Sequence, residues 1–529
     1  MLSRPRGPRG AAPGGQGEAR MGRKYQWKAV PTRQLPVDER LGTFAEVNRG
    51  YTFEEAVLEA QRCLQCPAPA CEDGCPNGNP IRDFIDCLAE GDLAGAIELD
   101  WTRNALPSCT GRVCAWERQC EGSCVMGQRG DPVRIGALER FIADWAAEHL
   151  DQVRLVDTEY RRRRQRVAVV GAGPAGLAVG HFLGRKGYHV TVFEAWAVPG
   201  GVMAYGIPEY VLPQHVIDRE IERLQALGVQ FRTGVRIGRD VSLDELLEAY
   251  DAVFIGTGAN QAATMGIPGE DLEGVWTAKD FLMRAQASRM KDRLAGRLPE
   301  VELRPPDVGR RVAVVGAGNT AMDAARTARR LGAEEVTVVY RRDEVQSPSR
   351  PVEIEHAKTE GVRFQYLVNP VRFLGDTRGR LRAMELIRME LGPPDASGRP
   401  RPVPVPGSEY QVPVDTVILA IGYSPERDLA EAAGLATTSW GGIIIDEATG
   451  ATNRPGVFAG GDCVTGANTV IHAIAAGRRA AAAIERYLEA REAGEATWPP
   501  APEPLALQAI SARPAEAAAA LSSARRASR

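Results

Sequence analysis

The sequence RVAVVGAG occurs twice, and this repeat constrains the fold of the chain more than any other feature. It runs from Arg166 to Gly173 and again from Arg311 to Gly318. Each copy joins a β-branched run, typical of a buried parallel strand, to a helical pattern through a glycine-rich turn. Two such units predict two dinucleotide-binding domains, either in sequence or with one nested inside the other.

The first copy continues into a complete G-x-G-x-x-G motif formed by Gly171, Gly173 and Gly176. The first glycine permits the tight turn, the second lets the backbone approach a pyrophosphate, and the third lets the helix pack closely on the strand. The phosphates are then expected at the helix N-terminus. The next strand, from Val190, ends in Glu194, whose carboxylate suits a ribose hydroxyl.

Two later elements indicate that this first site binds FAD. The run from Phe254 to Gly258 reads as a strand that ends in glycines, and Asp462 follows another strand and precedes a helix. In flavoproteins with two dinucleotide sites, an aspartate at this place holds the ribityl chain of the flavin. The alternative is a dinucleotide fold whose glycines serve only its turns.

The second copy differs from the first in the residues that select the ligand. Gly316, Gly318 and Ala321 form G-x-G-x-x-A, an accepted variant of the motif. The following strand ends in Arg341 and Arg342. An acidic residue at this place would repel a 2′-phosphate, whereas arginine side chains pair with one. This site is therefore predicted to bind NADPH, although a solvated arginine pair at a strand end is the alternative.

The cysteines are concentrated in the N-terminal third and indicate metal binding. The chain has ten cysteines and no secretory signal, so a disulfide scaffold is not expected. One set follows C-x2-C-x4-C-x3-C spacing, and a second set follows it without C-x2-C pairs. The two sets are Cys63, Cys66, Cys71 and Cys75, and then Cys109, Cys114, Cys120 and Cys124. Zinc is the alternative, but this spacing beside a flavin site favours iron–sulfur clusters.

The composition excludes several classes of protein. The net charge is −3, which gives no sign of a nucleic-acid partner. No apolar run approaches the roughly 18 residues that span a membrane. The N-terminus is basic but has no apolar segment of the kind found in secretory signals. We therefore expect a cytoplasmic protein with neither nucleic acid nor membrane as a partner.

Several segments together resemble the small (β) subunit of NADPH-dependent glutamate synthase. The resemblance runs from about Tyr25 to Leu488, and the superfamily also contains the N-terminal half of dihydropyrimidine dehydrogenase. The segments that carry it include Arg62-Cys-Leu-Gln-Cys, Cys120-Glu-Gly-Ser-Cys, Gly200-Gly-Val-Met-Ala-Tyr-Gly-Ile-Pro-Glu, Tyr340-Arg-Arg-Asp-Glu and Ala459-Gly-Gly-Asp. By this resemblance Gly201 and Gly258 join the residues of the FAD site.

The resemblance implies two [4Fe–4S] clusters with crossed ligation. One cluster would be held by Cys63, Cys66, Cys71 and Cys124, and the other by Cys75, Cys114 and Cys120 with Glu139 as its fourth ligand. Cys109 competes with Glu139 for that place, and the spacing alone does not decide between them.

The resemblance also implies the fold: an α/β flavoprotein with two dinucleotide-binding domains, the NADPH Rossmann domain inserted in the FAD domain, and an N-terminal α-helical iron–sulfur domain. The expected boundaries are a disordered arm at 1–20, the iron–sulfur domain at 21–160, the FAD domain at 166–282 and 421–490, the NADPH domain at 283–420, and a disordered tail at 491–529.

The function implied is that of an NADPH-dependent oxidoreductase of the glutamate synthase type. It would pass electrons to a large subunit that makes glutamate from glutamine and 2-oxoglutarate, as part of ammonia assimilation. We expect no catalytic side chain, because the cofactors carry the chemistry. The alternatives are a flavin subunit of the NADPH:ferredoxin or sulfide type, and a non-catalytic subunit that senses NADPH.

Overall fold

The computed structural model describes residues 26–158, 160–395 and 398–500 of the 529-residue chain. The arm expected at 1–20 and residues 501–529 of the expected tail lie outside the described residues. The N-terminal part is helical around one hydrophobic core. Its elements are β1 Arg33–Gln34, α1 Val37–Arg40, β2 Asn48–Gly50, α2 Phe53–Ala60, α3 Ala70–Asp73, α4 Ile81–Ala89, α5 Leu93–Asp100, α6 Pro107–Val113 and α7 Ile135–Glu148, with 3₁₀ turns at Trp116–Arg118, Val125–Gln128 and Leu150–Gln152.

Local sequence explains the boundaries of these helices. The apolar residues Ile81, Phe84, Ile85 and Leu88 recur at helical spacing in α4, and all four are buried. Helix α2 begins at a capping box, in which the Thr52 and Glu55 side chains each accept a backbone N–H of the other residue.

From Arg166 the chain alternates between strands and helices. This stretch contains β3 Arg166–Val170, α8 Pro174–Arg185, β4 His189–Glu194, α9 Val202–Tyr205, α10 Gln214–Ala226, β5 Gln230–Thr233, α11 Leu243–Ala249, β6 Ala252–Ile255 and β7 Gln261–Ala262. Strand β3 is buried from Val167 to Val170, as its β-branched run predicts for a strand covered on both faces.

A second α/β unit follows before the first sheet is complete. It contains β8 Val275–Thr277, α12 Ala278–Arg289, α13 Lys291–Leu294, β9 Arg311–Val315, α14 Asn319–Arg330, β10 Glu335–Tyr340, α15 Pro351–Thr359, β11 Arg363–Tyr366, β12 Val368–Gly375, β13 Leu381–Pro394, β14 Pro400–Pro404, β15 Tyr410–Pro413 and β16 Thr416–Leu419, with a 3₁₀ turn at Glu300–Leu303. Its parallel sheet has the order β11-β10-β9-β16-β8, and β12 to β15 form an antiparallel sheet beside it. Because β8 already pairs with β16, this unit begins before residue 283, the expected boundary.

The chain then returns to the first unit through β17 Tyr423–Ser424, α16 Asp428–Ala432, β18 Val457–Ala459, α17 Asp462–Thr465 and α18 Val470–Glu492. Strand β17 pairs with β7, and β18 pairs with β6 to complete a parallel sheet of order β18-β6-β3-β4-β5. The nested arrangement of two dinucleotide folds is therefore confirmed.

The C-terminal end of the described chain is more ordered than the sequence suggests. Helix α18 continues to Glu492, and the Trp498 ring lies 5.1 Å from that of Phe458. The Trp498 indole N–H donates to the carbonyl of Thr452. Residues 491–498 of the expected tail therefore include the end of α18 and an aromatic side chain that packs against Phe458. Within the described ranges, no helix combines the length and apolar character needed to cross a membrane.

Candidate functional site

The first glycine-rich turn joins β3 to α8, and each glycine has a distinct steric role. Gly171 has φ of +102°, and a Cβ there would lie 2.4 Å from the carbonyl oxygen of Gly256. A Cβ on Gly176 would lie 2.0 Å from the oxygen of Gly171. Gly173 has no atom within 4 Å of its Cβ position, so the space in front of it is open. Gly201 (φ +55°) packs against Gly173 and completes a cradle that suits a pyrophosphate.

Glu194 lies at the end of β4, beside this turn. Its two carboxylate oxygens accept the backbone N–H groups of Ala172 and Trp196, each at 2.8 Å. Burial raises the pKa of Glu194. A cavity of about 880 Å³ opens next to it, and its lining includes Trp196 and Tyr205. The carboxylate and the aromatic cavity together fit the adenosine half of FAD.

Asp462 begins α17 at the carboxyl end of β18. Its Oδ1 atom is buried and has no hydrogen-bond partner among the described residues. Burial raises the pKa of Asp462 to about 6. Gly258 (φ +77°), which follows β6, has no atom closer than 4.0 Å to its Cβ position. A buried oxygen without a partner beside open space fits a ligand hydroxyl, such as those of the ribityl chain.

The second glycine-rich turn joins β9 to α14 and repeats this geometry. Gly316 has φ of +120°, and a Cβ there would lie 2.3 Å from the oxygen of Ala420. Gly318 meets only a ring carbon of Pro348, at 3.8 Å, so its outer side is again open. Ala321 is fully buried between helix and sheet. This turn therefore also fits a dinucleotide pyrophosphate.

The two arginines after β10 have different environments. Arg342 is 6% exposed, its Nη2 lies 2.9 Å from Asp395 Oδ2, and its Nε donates to the Pro400 carbonyl. Arg341 is exposed, and within the described part of the chain its side chain makes no ion pair or hydrogen bond. Both arginines line a cavity of about 480 Å³, to which the β13–β14 hairpin adds Arg401. Arg341 and Arg401 are thus available to an anion, whereas Arg342 is already paired.

Cys63, Cys66, Cys71 and Cys124, the first ligand set that the resemblance implies, include several electrostatic neighbours. Burial raises the pKa of the Cys63 thiol to about 11, and the thiols of Cys124 and Cys66 raise it further. Burial raises the pKa of Cys71 to about 12, and Cys124 and Cys63 again add to this. Cys63 thus neighbours the other three thiols, and four thiols are a donor set that suits an iron–sulfur cluster.

A second group contains Cys75, Cys114, Cys120 and Glu139. Burial raises the pKa of Cys75 to about 11 and that of Cys114 well above its usual value, and in both cases the Glu139 carboxylate raises it further. The pKa of Cys120 is raised by burial and by neighbours that include Cys75, Cys114 and Glu139. Three thiols and one carboxylate are therefore electrostatic neighbours of one another.

Glu139 and Cys109, the two candidates for the fourth ligand, lie in different places. Glu139, on α7, accepts hydrogen bonds from Asn79 (3.1 Å), Asn104 (2.9 Å) and Thr110 (3.0 Å), and burial raises its pKa to about 7. Cys109 is buried on α6, where burial and the Glu220 carboxylate raise its pKa and none of the other cluster thiols contributes. Glu139 is thus an electrostatic neighbour of Cys75, Cys114 and Cys120, and its role as the fourth ligand stays a prediction.

Two family models match the chain. The model for the pyridine nucleotide-disulphide oxidoreductases matches residues 165–477, and the model for dihydropyrimidine dehydrogenase domain II, a 4Fe-4S cluster domain, matches residues 40–150. Fold and sites thus define an oxidoreductase whose cofactors are FAD, NADPH and [4Fe–4S] clusters. The zinc alternative is excluded by the second match. In the described ranges, no three His, Cys, Asp or Glu side chains are arranged to hold a single metal ion.

Known proteins resemble the chain over most of its length. The glutamate synthase [NADPH] small chain of Escherichia coli is 38% identical over 87% of this chain and 97% of its own length. The NADP(+)-dependent formate dehydrogenase subunit beta of Moorella thermoacetica is 39% identical over 79% of this chain and 60% of its own length. Mycobacterium tuberculosis FprA in complex with NADPH shares the fold (TM-score 0.54, 21% identity, 63% of this chain and 87% of that one). The chain belongs to the pyridine nucleotide-disulphide oxidoreductase family, among relatives that include glutamate synthase small chains.

The sequence did not reveal the residues that orient the predicted site residues. Asn79, Asn104 and Thr110 orient Glu139 from 60, 35 and 29 residues away. Arg401 reaches its cavity from a hairpin that no motif marks. No spacing rule links such positions, because their proximity arises only from tertiary packing.

Proposed function

We propose that this chain is the NADPH-oxidising electron-transfer subunit of a glutamate synthase, and that its partner is the large subunit that forms glutamate from glutamine and 2-oxoglutarate. The observation that carries the proposal is the extent of the resemblance to the Escherichia coli small chain. It covers 97% of that chain and therefore spans both its iron–sulfur part and its dinucleotide-binding part.

The residues of the chain bind and orient the cofactors. With FAD bound, Gly173 would leave space for its pyrophosphate, Glu194 would face a ribose hydroxyl, and Asp462 would accept a hydrogen bond from the ribityl chain. Gly318 leaves space for the NADPH pyrophosphate in the same way. The bound cofactors supply the redox chemistry, which is two-electron exchange at the flavin and one-electron transfer at the clusters.

The two cysteine groups differ in how deeply they are buried. This difference supports electron transfer from the flavin to the more buried group and then to the more exposed one. Cys114 belongs to the hydrophobic core shared with β3 and β6, and Cys75 packs against that core. Cys63, Cys71 and Cys124 are only half-buried and border the core of the N-terminal domain. We therefore assign the group with Glu139 to the flavin side, and the group with Cys63 to the side from which a partner receives electrons.

The charge balance around Arg341 supports NADPH as the donor. The cavity contains three guanidinium groups, and Asp395 neutralises only Arg342. A 2′-phosphate would be met by Arg341 and Arg401, which lack partners among the described residues, and guanidinium groups match phosphate oxygens well. NADH has no 2′-phosphate to place in this cavity, so we propose NADPH as the physiological electron donor.

The compartment we propose is the cytoplasm. All ten cysteines are free thiols in the structure, including those near the surface. Thiols of this kind persist in a reducing compartment, where they remain available as cluster ligands.

The proposal is tested by co-purifying the cofactor-loaded chain with candidate large subunits and measuring glutamate formed from glutamine, 2-oxoglutarate and NADPH. Glutamate formation that requires both subunits is the expected result. An intact, loaded complex that forms no glutamate contradicts the proposal. Reduction of ferredoxin or of another acceptor by the same preparation would then favour a role like that of the formate dehydrogenase relative. Failure to reduce even an artificial dye with NADPH would favour a sensing subunit.

A further inference from the structure

The segment between Cys114 and Cys120 contacts the second dinucleotide unit directly. Arg118, exposed on this segment, donates hydrogen bonds to the backbone carbonyls of Ser347 (3.2 Å), Pro348 (2.7 Å) and Ser349 (2.6 Å). These carbonyls belong to the loop 343–350, which joins β10 to α15. One guanidinium that binds three successive backbone groups holds the conformation of a loop as well as its position.

Arg350, the last residue of this loop, makes a second connection to the same segment. Its Nη2 lies 2.9 Å from Glu117 Oε1, and its Nε lies 3.2 Å from Glu117 Oε2. The guanidinium also lies over the ring of Trp116, 4.2 Å from the ring centre. Arg350 is 5% exposed, so this two-point ion pair and the cation–π contact are largely shielded from solvent.

On its other side, the loop is bonded to the second glycine-rich turn. The Ser347 hydroxyl donates to the carbonyl of Ala317 at 2.7 Å. The Ser349 hydroxyl and the Arg350 backbone N–H each donate to Asn319 Oδ1 at 2.9 Å. Ala317 and Asn319 lie on either side of Gly318, whose open face fits the pyrophosphate. The loop therefore contacts the turn at Gly318 on one side and the segment 114–120 on the other.

The far end of α14 is also attached to the N-terminal domain. Arg330 donates from Nε to the carbonyl of Thr43 at 3.2 Å, and its guanidinium lies 4.0 Å from the ring centre of Tyr210. Helix α14 is thus contacted directly by groups outside its unit at its C-terminal end. At its N-terminal end it is connected to the segment 114–120 through the loop 343–350.

We infer that Arg118 and Arg350 are positioning residues, through which the iron–sulfur domain fixes the loop 343–350 and the turn at Gly318 in the conformation that binds NADPH. The inference rests on the proposed NADPH site. Dinucleotide binding is then coupled to the segment that carries Cys114 and Cys120, and thermodynamic linkage makes this coupling reciprocal.

Calorimetric titration of the full-length, cofactor-loaded protein with NADP⁺ tests the inference. Arg118→Ala is the main variant, because its exposed side chain is not needed for the core. Glu117→Gln is the second, since it removes the charge that pairs with Arg350 and keeps the side-chain volume. Arg154→Ala is the matched control: Arg154 is another exposed arginine of the N-terminal part, paired with Glu98 at 3.0 Å. We expect the NADP⁺ Kd to rise about fivefold or more in the first two variants and to stay at the parental value in the control.

The electron paramagnetic resonance spectrum of the dithionite-reduced protein supplies a second readout. Addition of NADPH, which cannot accept electrons from the reduced protein, is expected to alter the cluster signal of the parent, and to alter that of Arg118→Ala less. A parental Kd in both variants, with full cofactor content, overturns the inference and leaves the NADPH site standing. A parent that binds no NADP⁺ overturns the proposed site and the inference together. A merely structural role would lower the melting temperature without changing the Kd.

Discussion

Replacement of Arg341 by glutamine is expected to reduce selectivity for NADPH over NADH. Arg341 is exposed and makes no side-chain contact within the described residues, whereas Arg342 is bonded to Asp395 and to the carbonyl of Pro400. The change therefore removes the charge that we propose for the 2′-phosphate and leaves the hairpin β13–β14 intact. NADH lacks the 2′-phosphate, so its binding should be unaffected.

The magnitude follows from the environment of the side chain. A hydrogen bond to a charged group contributes about 1.5–3 kcal/mol, and solvent exposure places Arg341 near the lower end. A loss of about 1.5 kcal/mol corresponds to roughly a tenfold change in affinity. Screening should reduce the effect at high ionic strength, since the Debye length falls to about 3 Å at 1 M salt. Arg401→Gln should have a similar effect, because Arg401 lines the same cavity.

Steady-state reduction of a dye by NADPH and by NADH measures the effect as the ratio of the two kcat/KM values. We expect Arg341→Gln to lower the value for NADPH about tenfold and that for NADH less than twofold. Arg342→Gln is the comparison variant. It should lower kcat/KM for both NADPH and NADH, because it removes the bonds that hold the hairpin β13–β14 beside the cavity. Equal losses for both donors in Arg341→Gln would refute the reasoning and assign Arg341 a structural role.

Three further predictions concern the other cofactor sites. Gly173→Ala should fold normally but bind FAD more weakly. Gly176→Ala should also have a lower melting temperature, because its Cβ would lie 2.0 Å from the oxygen of Gly171. Measurements of flavin content and of thermal melting distinguish the two variants. Glu139→Ala should lose about four iron atoms per chain and Cys109→Ala none, and equal iron content in both would contradict the assignment. In FAD-free protein, the raised pKa of Asp462 favours its protonated form, so stability should fall as pH rises from the usual value of 3.8 through about 6. The free energy of unfolding of Asp462→Asn, measured with urea at several pH values, should lack this part of the pH dependence. Identical pH profiles for this variant and the parent would contradict the assignment to Asp462.

Features encoded by short-range spacing could be predicted from the sequence. The two glycine-rich turns follow from residues two to five positions apart, and the fold class follows from their repetition. The crossed arrangement of cysteines came from family resemblance, since spacing left Cys109 and Glu139 as alternatives. The two side chains have different recorded neighbours, because Cys109 lies on α6 and Glu139 on α7, and the choice between them stays a prediction.

Features that depend on distant residues could not be predicted. The unequal roles of Arg341 and Arg342 depend on Asp395, which lies 53 residues after Arg342. The start of the inserted unit was placed too late because β8, three residues long, carries no periodic pattern. The contact of Arg118 with the loop 343–350 spans about 230 residues, and an isolated arginine in the sequence gives no sign of it.

The burial of the inner cysteine group has a consequence for how the protein is made. Cys114 and Cys120 are 6% and 7% exposed, and the core around Cys114 is completed by residues of the FAD domain as far along the chain as Leu488. An iron-donating protein cannot reach these thiols after that core has closed. If this group holds a cluster, we therefore expect iron and sulfide to be delivered before the domains dock, while the N-terminal part is still open. A chain that closed before delivery would then lack its inner cluster.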